Sequence, residues 1–253
     1  MKILAIDSSG LTATVAVLED ERLLAEYTID HKKTHSQTLV PMLDEIRNMT
    51  ELDLSSIDAV AVAKGPGSFT GLRIGSATAK GIGLALDKPI IAVSTLEALA
   101  MNAWGVAGLV CPIMDARREQ VYTGIYRFVD GELITVKDAC AIAVEELCVM
   151  LDGTKDEPVL FLGDGVPVYK DLINDKLKTT HTYAPAHMSR QRAGALAVLA
   201  AKYYSSEFPG GDGSTDGSHI ETAAEHKPEY LRMSQAERER NIIVNKRNGS
   251  RGC

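Results

Sequence analysis

The most constraining stretch is Lys64-Gly65-Pro66-Gly67-Ser68-Phe69-Thr70-Gly71-Leu72-Arg73-Ile74-Gly75, continuing to Leu86. Ahead of it, 57–63 is short, apolar and partly β-branched, which predicts a buried strand; behind it the apolar spacing predicts a helix from about Thr70 to Leu86. A glycine turn between strand and helix can hold an anion on the first unpaired amides of the helix. The spacing of Gly65, Gly67 and Gly71 nevertheless matches neither the dinucleotide fingerprint nor a P-loop. Within the helix, Gly71, Gly75, Ala79 and Gly83 recur at every fourth position and so share one face. Each glycine costs roughly 0.5–1 kcal/mol relative to alanine in an exposed helix, so the ridge implies close approach by another backbone. That backbone is either a core strand of this chain or a helix of a partner.

At 253 residues, with 45% hydrophobic and 24% charged side chains, the chain has the composition of a globular protein with one large or two ordinary cores. No stretch reaches the length of a membrane span, and Asp7 cuts short the apolar run that a signal peptide needs, so a cytoplasmic protein without membrane contact is expected. Cys111, Cys140, Cys148 and Cys253 have neither metal-ligand spacing nor a disulfide pattern, which fits a reducing compartment. The formal net charge of -7 argues against an autonomous grip on nucleic acid.

Taken in order, 3–6, 12–18 and 23–29 read as strands joined by two hairpins, followed by a helix from near Ser36 whose apolar stripe is Leu39, Leu43 and Ile46, with Pro41 in its early turns. After the glycine turn and its helix comes a short strand, 90–93. Ser94 and Glu97 then form a capping box for a helix to about Trp104. The pattern restarts with a strand ending at Asp115, then strands over 121–129 and 133–136, a helix over 143–151, a strand over 159–162 closed by Gly163-Asp164-Gly165, and a helix over 189–204. The shared order is a faint internal repeat and predicts two similar α/β units with mixed sheets. The expected boundaries are 1–106, 107–240 with a glycine-rich loop at 208–218, and a frayed tail at 241–253.

Catalytic motifs are mostly wanting. Asp7 with Ser8, Ser9 and Thr12 can hold a hydrated Mg²⁺ or simply form a strand-end turn, and Asp115 occupies the equivalent place in the second half. His31 and His35 are four apart, but the intervening lysines repel a metal. No Gly-x-Ser-x-Gly elbow occurs.

The glycine stretch at 64–75, together with Ile3-Leu4-Ala5-Ile6-Asp7-Ser8-Ser9, His35-Ser36-Gln37, Asp115-Ala116-Arg117-Arg118 and Pro228-Glu229-Tyr230-Leu231-Arg232, resembles the TsaB (YeaZ) family. The resemblance covers nearly the whole chain. It implies an actin-like ATPase (ASKHA) fold of two ribonuclease-H-like domains. It also implies a non-catalytic subunit that pairs with TsaD, joined by TsaE, for transfer of threonylcarbamoyl to the adenosine 3′ of the anticodon in tRNAs reading ANN codons. By the same resemblance there is no catalytic, cofactor or metal site; tRNA is met only through the complex, and the chain alone forms a homodimer. The implied partner surface comprises His35, Leu39, Leu43, Ile46, Phe69, Gly71, Leu72, Gly75, Ala79 and Gly83. Ser9 stands where active members of the superfamily place a phosphate-turn glycine. A nucleotide-dependent enzyme, sugar-kinase-like or glycoprotease-like and using Asp7 and Asp115, is the alternative, and a small-molecule module using the Gly65–Gly71 turn is a third reading.

Overall fold

The computed structural model describes residues 1–31, 33–154, 157–207 and 219–231. The first half supplies strands β1 (Lys2–Asp7), β2 (Ala13–Glu19) and β3 (Arg22–Ile29), helix α1 (His35–Met49), strand β4 (Ala59–Gly65), helix α2 (Phe69–Leu86), strand β5 (Ile90–Ser94) and helix α3 (Thr95–Met101). The second supplies β6 (Leu109–Asp115), β7 (Gln120–Val129), β8 (Glu132–Ala143), α4 (Val144–Asp152), β9 (Val159–Leu162), α5 (Val166–Lys176) and β10 (His181–Tyr183), after which come α6 (Ala193–Glu207) and β11 (Ile220–Glu221).

The two sheets repeat one topology. Their orders are β11-β5-β4-β1-β2-β3 and β10-β9-β6-β7-β8. In each, the first strand pairs antiparallel with the second and parallel with the fourth. This order, three hairpin strands extended by two parallel ones, is the ribonuclease-H-like arrangement, and its duplication is the actin-like ATPase plan expected above.

Burial follows from what covers each face. Strands β1, β2, β4 and β5 are buried almost throughout, and accordingly read as continuous apolar runs. On one face Leu4, Ile6, Val15, Val17, Val60 and Val62 pack under α1 and α2 through Leu39, Met42, Ile46 and Ala79. On the other face, Ala5, Ala16, Ala59, Ala61 and Ala63 meet Ala193, Ala197 and Ala200 of α6. Small residues on both sides let helix and sheet approach closely. The first sheet also receives the start of α6: Thr14 Oγ1 accepts from the Ala193 amide at 3.1 Å and Glu26 Oε1 from the Gly194 amide at 2.9 Å, satisfying orphan donors of the helix N-terminus.

Helix α3 is shared by the two halves. Its Ala98 and Met101 face the first core, while Leu96, Leu99 and Ala100 pack against Val110, Met114, Tyr126 and Leu162 of the second sheet. The other face of that sheet is covered by α4 and α5.

Several expectations are corrected. The chain beyond 192 does not stay with the second unit: α6 packs on the first sheet and β11 extends it beside β5. Strand β8 is far longer than 133–136, and α5 and β10 have no counterpart in the sequence reading. Ser94 caps α3, accepting from the Glu97 amide at 3.4 Å, but the Glu97 carboxylate accepts from the Tyr203 hydroxyl at 3.0 Å instead. The 208–218 loop and the 241–253 tail lie outside the described residues.

Candidate functional site

The ends of β1 and β4 form the point on which the rest converges. Asp7, at the end of β1, is 1% exposed. Its Oδ1 accepts from the Ser9 amide at 2.8 Å and the Ser9 hydroxyl at 2.6 Å. Burial pushes the carboxyl up to about 6, opposed by the two Ser9 bonds and by nearby His35. His35, at the start of α1, donates through Nε2 to the Gly10 carbonyl at 3.0 Å.

The glycine turn closes onto this turn from the other side. The Ser68 amide donates to the Ser9 carbonyl at 2.7 Å, and the Ser8 hydroxyl donates to the Gly71 carbonyl at 2.8 Å. A side chain at Gly67 would strike the Ser9 carbonyl, one at Gly71 would strike the Ser8 carbonyl, and one at Gly75 would stand 2.6 Å from Ser8 Oγ. At Gly65 a φ of +128° adds a backbone demand that glycine meets without strain. The ridge, open in sequence to either a backbone of this chain or a partner's helix, meets this chain's own Ser8-Ser9 turn. Farther along, Gly83 packs against Ala223 and Ile90.

Other residues assigned to a partner surface are likewise used internally. Leu39, Ile46, Leu72 and Ala79 lie in the core at 0–2% exposure. Physically, the apolar stripe of an amphipathic helix marks the side that faces its own sheet. Leu43 is half-buried against the same core. Phe69 is half-buried and stacks on Tyr230 with ring centroids 4.8 Å apart, with the Arg73 guanidinium 4.0 Å from its ring centre. The opposite face of α2 is open: Thr70, Arg73, Ala77, Gly81 and Leu84 are exposed, and a side chain at Gly81 would meet nothing within 4 Å. On α1, Val40 is 58% exposed.

The strip near the C-terminus, 228–231, is tied across the glycine turn; Arg232 lies outside the described residues. The Glu229 amide donates to the Lys64 carbonyl at 2.6 Å, its carboxylate pairs with Lys64 Nζ at 3.2 Å, and Arg73 Nε donates to the Tyr230 hydroxyl at 3.2 Å.

In the second half, Asp115 is exposed at the end of β6, where its Oδ1 accepts from the Arg117 amide at 2.7 Å and the Tyr169 hydroxyl at 2.8 Å. Its own amide donates to Asp164 Oδ1 at 3.1 Å. Segment 188–192 touches both halves. The Gly163 amide donates to the Ser189 carbonyl at 3.1 Å, and the Thr12 hydroxyl donates to Gln191 Oε1 at 3.2 Å. Gln191, 1% exposed and packed on Gly10, was not singled out from sequence; its partner lies 179 residues away and no local pattern marks it. No bond joins Asp7 to Asp115 among the described residues. Nor, among the described residues, do three His, Cys, Asp or Glu side chains gather there as a metal set, and His31 lies exposed. Among the described residues no helix is long and apolar enough to cross a membrane.

The family described as TsaD, tRNA N6-adenosine threonylcarbamoyltransferase, matches residues 22–239. The tRNA threonylcarbamoyladenosine biosynthesis protein TsaB of Bacillus subtilis is 38% identical over 239 residues, covering 94% of this chain and 96% of that protein. TsaB of Escherichia coli is 38% identical over 129 residues, 50% of this chain and 55% of that protein. The solved structure of YeaZ from Pseudomonas aeruginosa aligns with a TM-score of 0.73 at 27% identity, covering 91% of this chain and 99% of that one.

Proposed function

The chain belongs to the TsaB (YeaZ) family, and from that premise we propose that it serves tRNA threonylcarbamoyladenosine synthesis as a non-catalytic partner of TsaD. The observation that carries the reading is the filled turn. The Ser8 and Ser9 carbonyls occupy the glycine hollow, and the Asp7 carboxylate is buried and engaged by Ser9. A phosphate-binding site needs such amides and such a carboxylate free and facing a cleft. The same interlock argues against an anion pocket at Gly65–Gly71. An enzyme using Asp7 and Asp115 together is disfavoured because each carboxylate is engaged within its own half, Asp7 by Ser9 and Asp115 by the Arg117 amide and the Tyr169 hydroxyl.

The partner surface in this reading is the outer side of α1 and α2: Val40, half-buried Leu43, Ala77, Gly81 and Leu84, with His35 and Phe69 at the helix starts. Small residues at Ala77 and Gly81 permit a close helix approach, and Leu84 and Val40 supply apolar area. TsaD binds there, TsaE joins the pair, and in TsaD's absence a second copy takes the same face. The product is threonylcarbamoylated adenosine 3′ of the anticodon in tRNAs reading ANN codons, made in the cytoplasm.

The test reconstitutes modification with TsaC, TsaD, TsaE, tRNA, threonine, bicarbonate and ATP, with and without this chain, and assays its own ATP hydrolysis. Modification that needs the chain while its hydrolysis stays at background is the expected result. Hydrolysis by the chain alone, lost in Asp7→Ala while modification is unaffected, would overturn the reading.

A further inference from the structure

The connection from β6 to β7 combines backbone strain with unused charge. Arg117, Arg118 and Glu119 have φ of 63°, 57° and 57°, three consecutive non-glycine residues in the left-handed region. Each position disfavours an L side chain, and glycine would relieve it. The turn is pinned nonetheless. The Ala116 amide donates to the Gln120 carbonyl at 2.9 Å, the Gln120 amide to the Arg117 carbonyl at 3.3 Å, and the Val144 amide to the Glu119 carbonyl at 3.1 Å. Asp115, bonded to the Arg117 amide and to the Tyr169 hydroxyl, ties the turn to α5.

All of these bonds are made by backbone or by Asp115. The Arg117 and Arg118 side chains are exposed, and among the described residues neither guanidinium has a hydrogen-bond or ion-pair partner. The bonds hold the strained backbone in place, yet none of them uses either guanidinium, so the turn presents two charged side chains that the fold itself leaves free for a contact outside the chain. Guanidiniums on two consecutive residues offer planar donor forks suited to bidentate contact with phosphate.

We infer that Arg117 and Arg118 form a phosphate-binding pair that contacts the tRNA backbone when this chain sits in its complex. The inference rests on the function proposed above. Glu119 beside the pair and the net charge of -7 make the turn a poor source of long-range attraction. It acts at contact distance on RNA that partner subunits have already drawn in. An acidic protein surface is the competing occupant, and the same experiment distinguishes it.

The variants are R117Q/R118Q and R117K/R118K, each assembled with TsaD and TsaE. Sedimentation measures assembly, and binding of an unmodified tRNA transcript is titrated across a range of salt. The Gln pair is expected to unfold at the parental temperature and assemble normally. It should bind tRNA about ten-fold more weakly near 0.1 M salt, with the salt slope reduced by roughly 1.5. The Lys pair should restore the slope but only part of the affinity, because the fork is lost. Unchanged tRNA affinity and slope in the Gln pair would overturn the inference. So would loss of assembly with unchanged tRNA affinity in the complex that remains, which would identify an acidic protein partner. Failure of the parental chain to join TsaD would instead sink the parent reading and this inference with it.

Discussion

Replacing Gly75 by alanine tests whether the small-residue ridge is consumed inside the chain. The new methyl stands 2.6 Å from Ser8 Oγ, whereas Ser8 Cβ is 3.9 Å away and Val62 Cγ2 3.8 Å, so the hydroxyl is the sole close contact. Relief requires that hydroxyl to leave the Gly71 carbonyl, which it binds at 2.8 Å. Overpacking of this kind costs about 1–3 kcal/mol and a lost buried hydrogen bond about 1 kcal/mol. Against this, alanine gains roughly 1 kcal/mol of helix propensity. The net expectation for G75A is a loss of ~1–3 kcal/mol, a fall in Tm of roughly 2–10 °C for a chain of this size. S8A alone should lose about 1 kcal/mol, since only the bond goes. In S8A/G75A the clash is absent and the helix gain offsets the lost bond, so the double variant should return close to the parent. The cycle, read from denaturant unfolding of all four proteins, should therefore show a coupling of at least ~1 kcal/mol. Additive losses, or a G75A chain that keeps its stability yet fails to bind TsaD, would refute the reasoning and return Gly75 to the partner surface.

Three further outcomes follow from the same region. Because Asp7 is raised from 3.8 to about 6, the folded chain holds a proton there that the unfolded chain has already released; the group's stabilising contribution is full below about 4 and disappears as pH rises through 6. Asp7→Asn should therefore gain ~2–3 kcal/mol relative to the parent between pH 4 and 7, and a stability difference that ignores pH would contradict the assigned burial. Tyr230→Ala removes the ring contact with Phe69 and the bond from Arg73; hydrogen exchange should show lost protection at the Glu229 amide, and unchanged protection would mean the strip is held by something else. Gly81→Ala should stabilise the isolated chain by about 0.5–1 kcal/mol, since nothing stands near the new methyl, whereas Gly81→Trp should abolish pairing with TsaD; normal assembly of the Trp variant would remove that face from the proposed surface.

Much of the fold was legible because its signals are local. Hairpin turns and apolar runs define β1 to β3, and the restart at 109–115 announces the second sheet with the same order. The return of α6 to the first sheet was not legible. Its alanine-rich surface gives almost no amphipathic direction, and its destination is set by Ala5, Ala16, Ala59 and Ala61 together with Thr14 and Glu26 at its N-terminus. Helix α5 escaped notice because only Tyr169 and Ile173 are buried in it. At the site, helical spacing identified the shared face of Gly71, Gly75, Ala79 and Gly83, but spacing says nothing of what covers a face. Here the cover is Ser8 and Ala223, distant in sequence. The exposed side with Ala77, Gly81 and Leu84 was available from the same wheel, directly opposite.

The route of α6 has a consequence for how this protein comes off the ribosome. Residues 1–94 complete five adjoining strands of the first sheet, and α1 and α2 close one side of it at once. The other side, lined by Ala5, Ala16, Ala59 and Ala61, gains Ala98 and Met101 of α3 early but lacks its main cover until α6 is synthesised, after the whole second sheet has been made. A nascent chain therefore carries half-covered strands through most of its translation. Truncation ahead of Ala193 should yield aggregates, even though every strand from β1 to β5 is present.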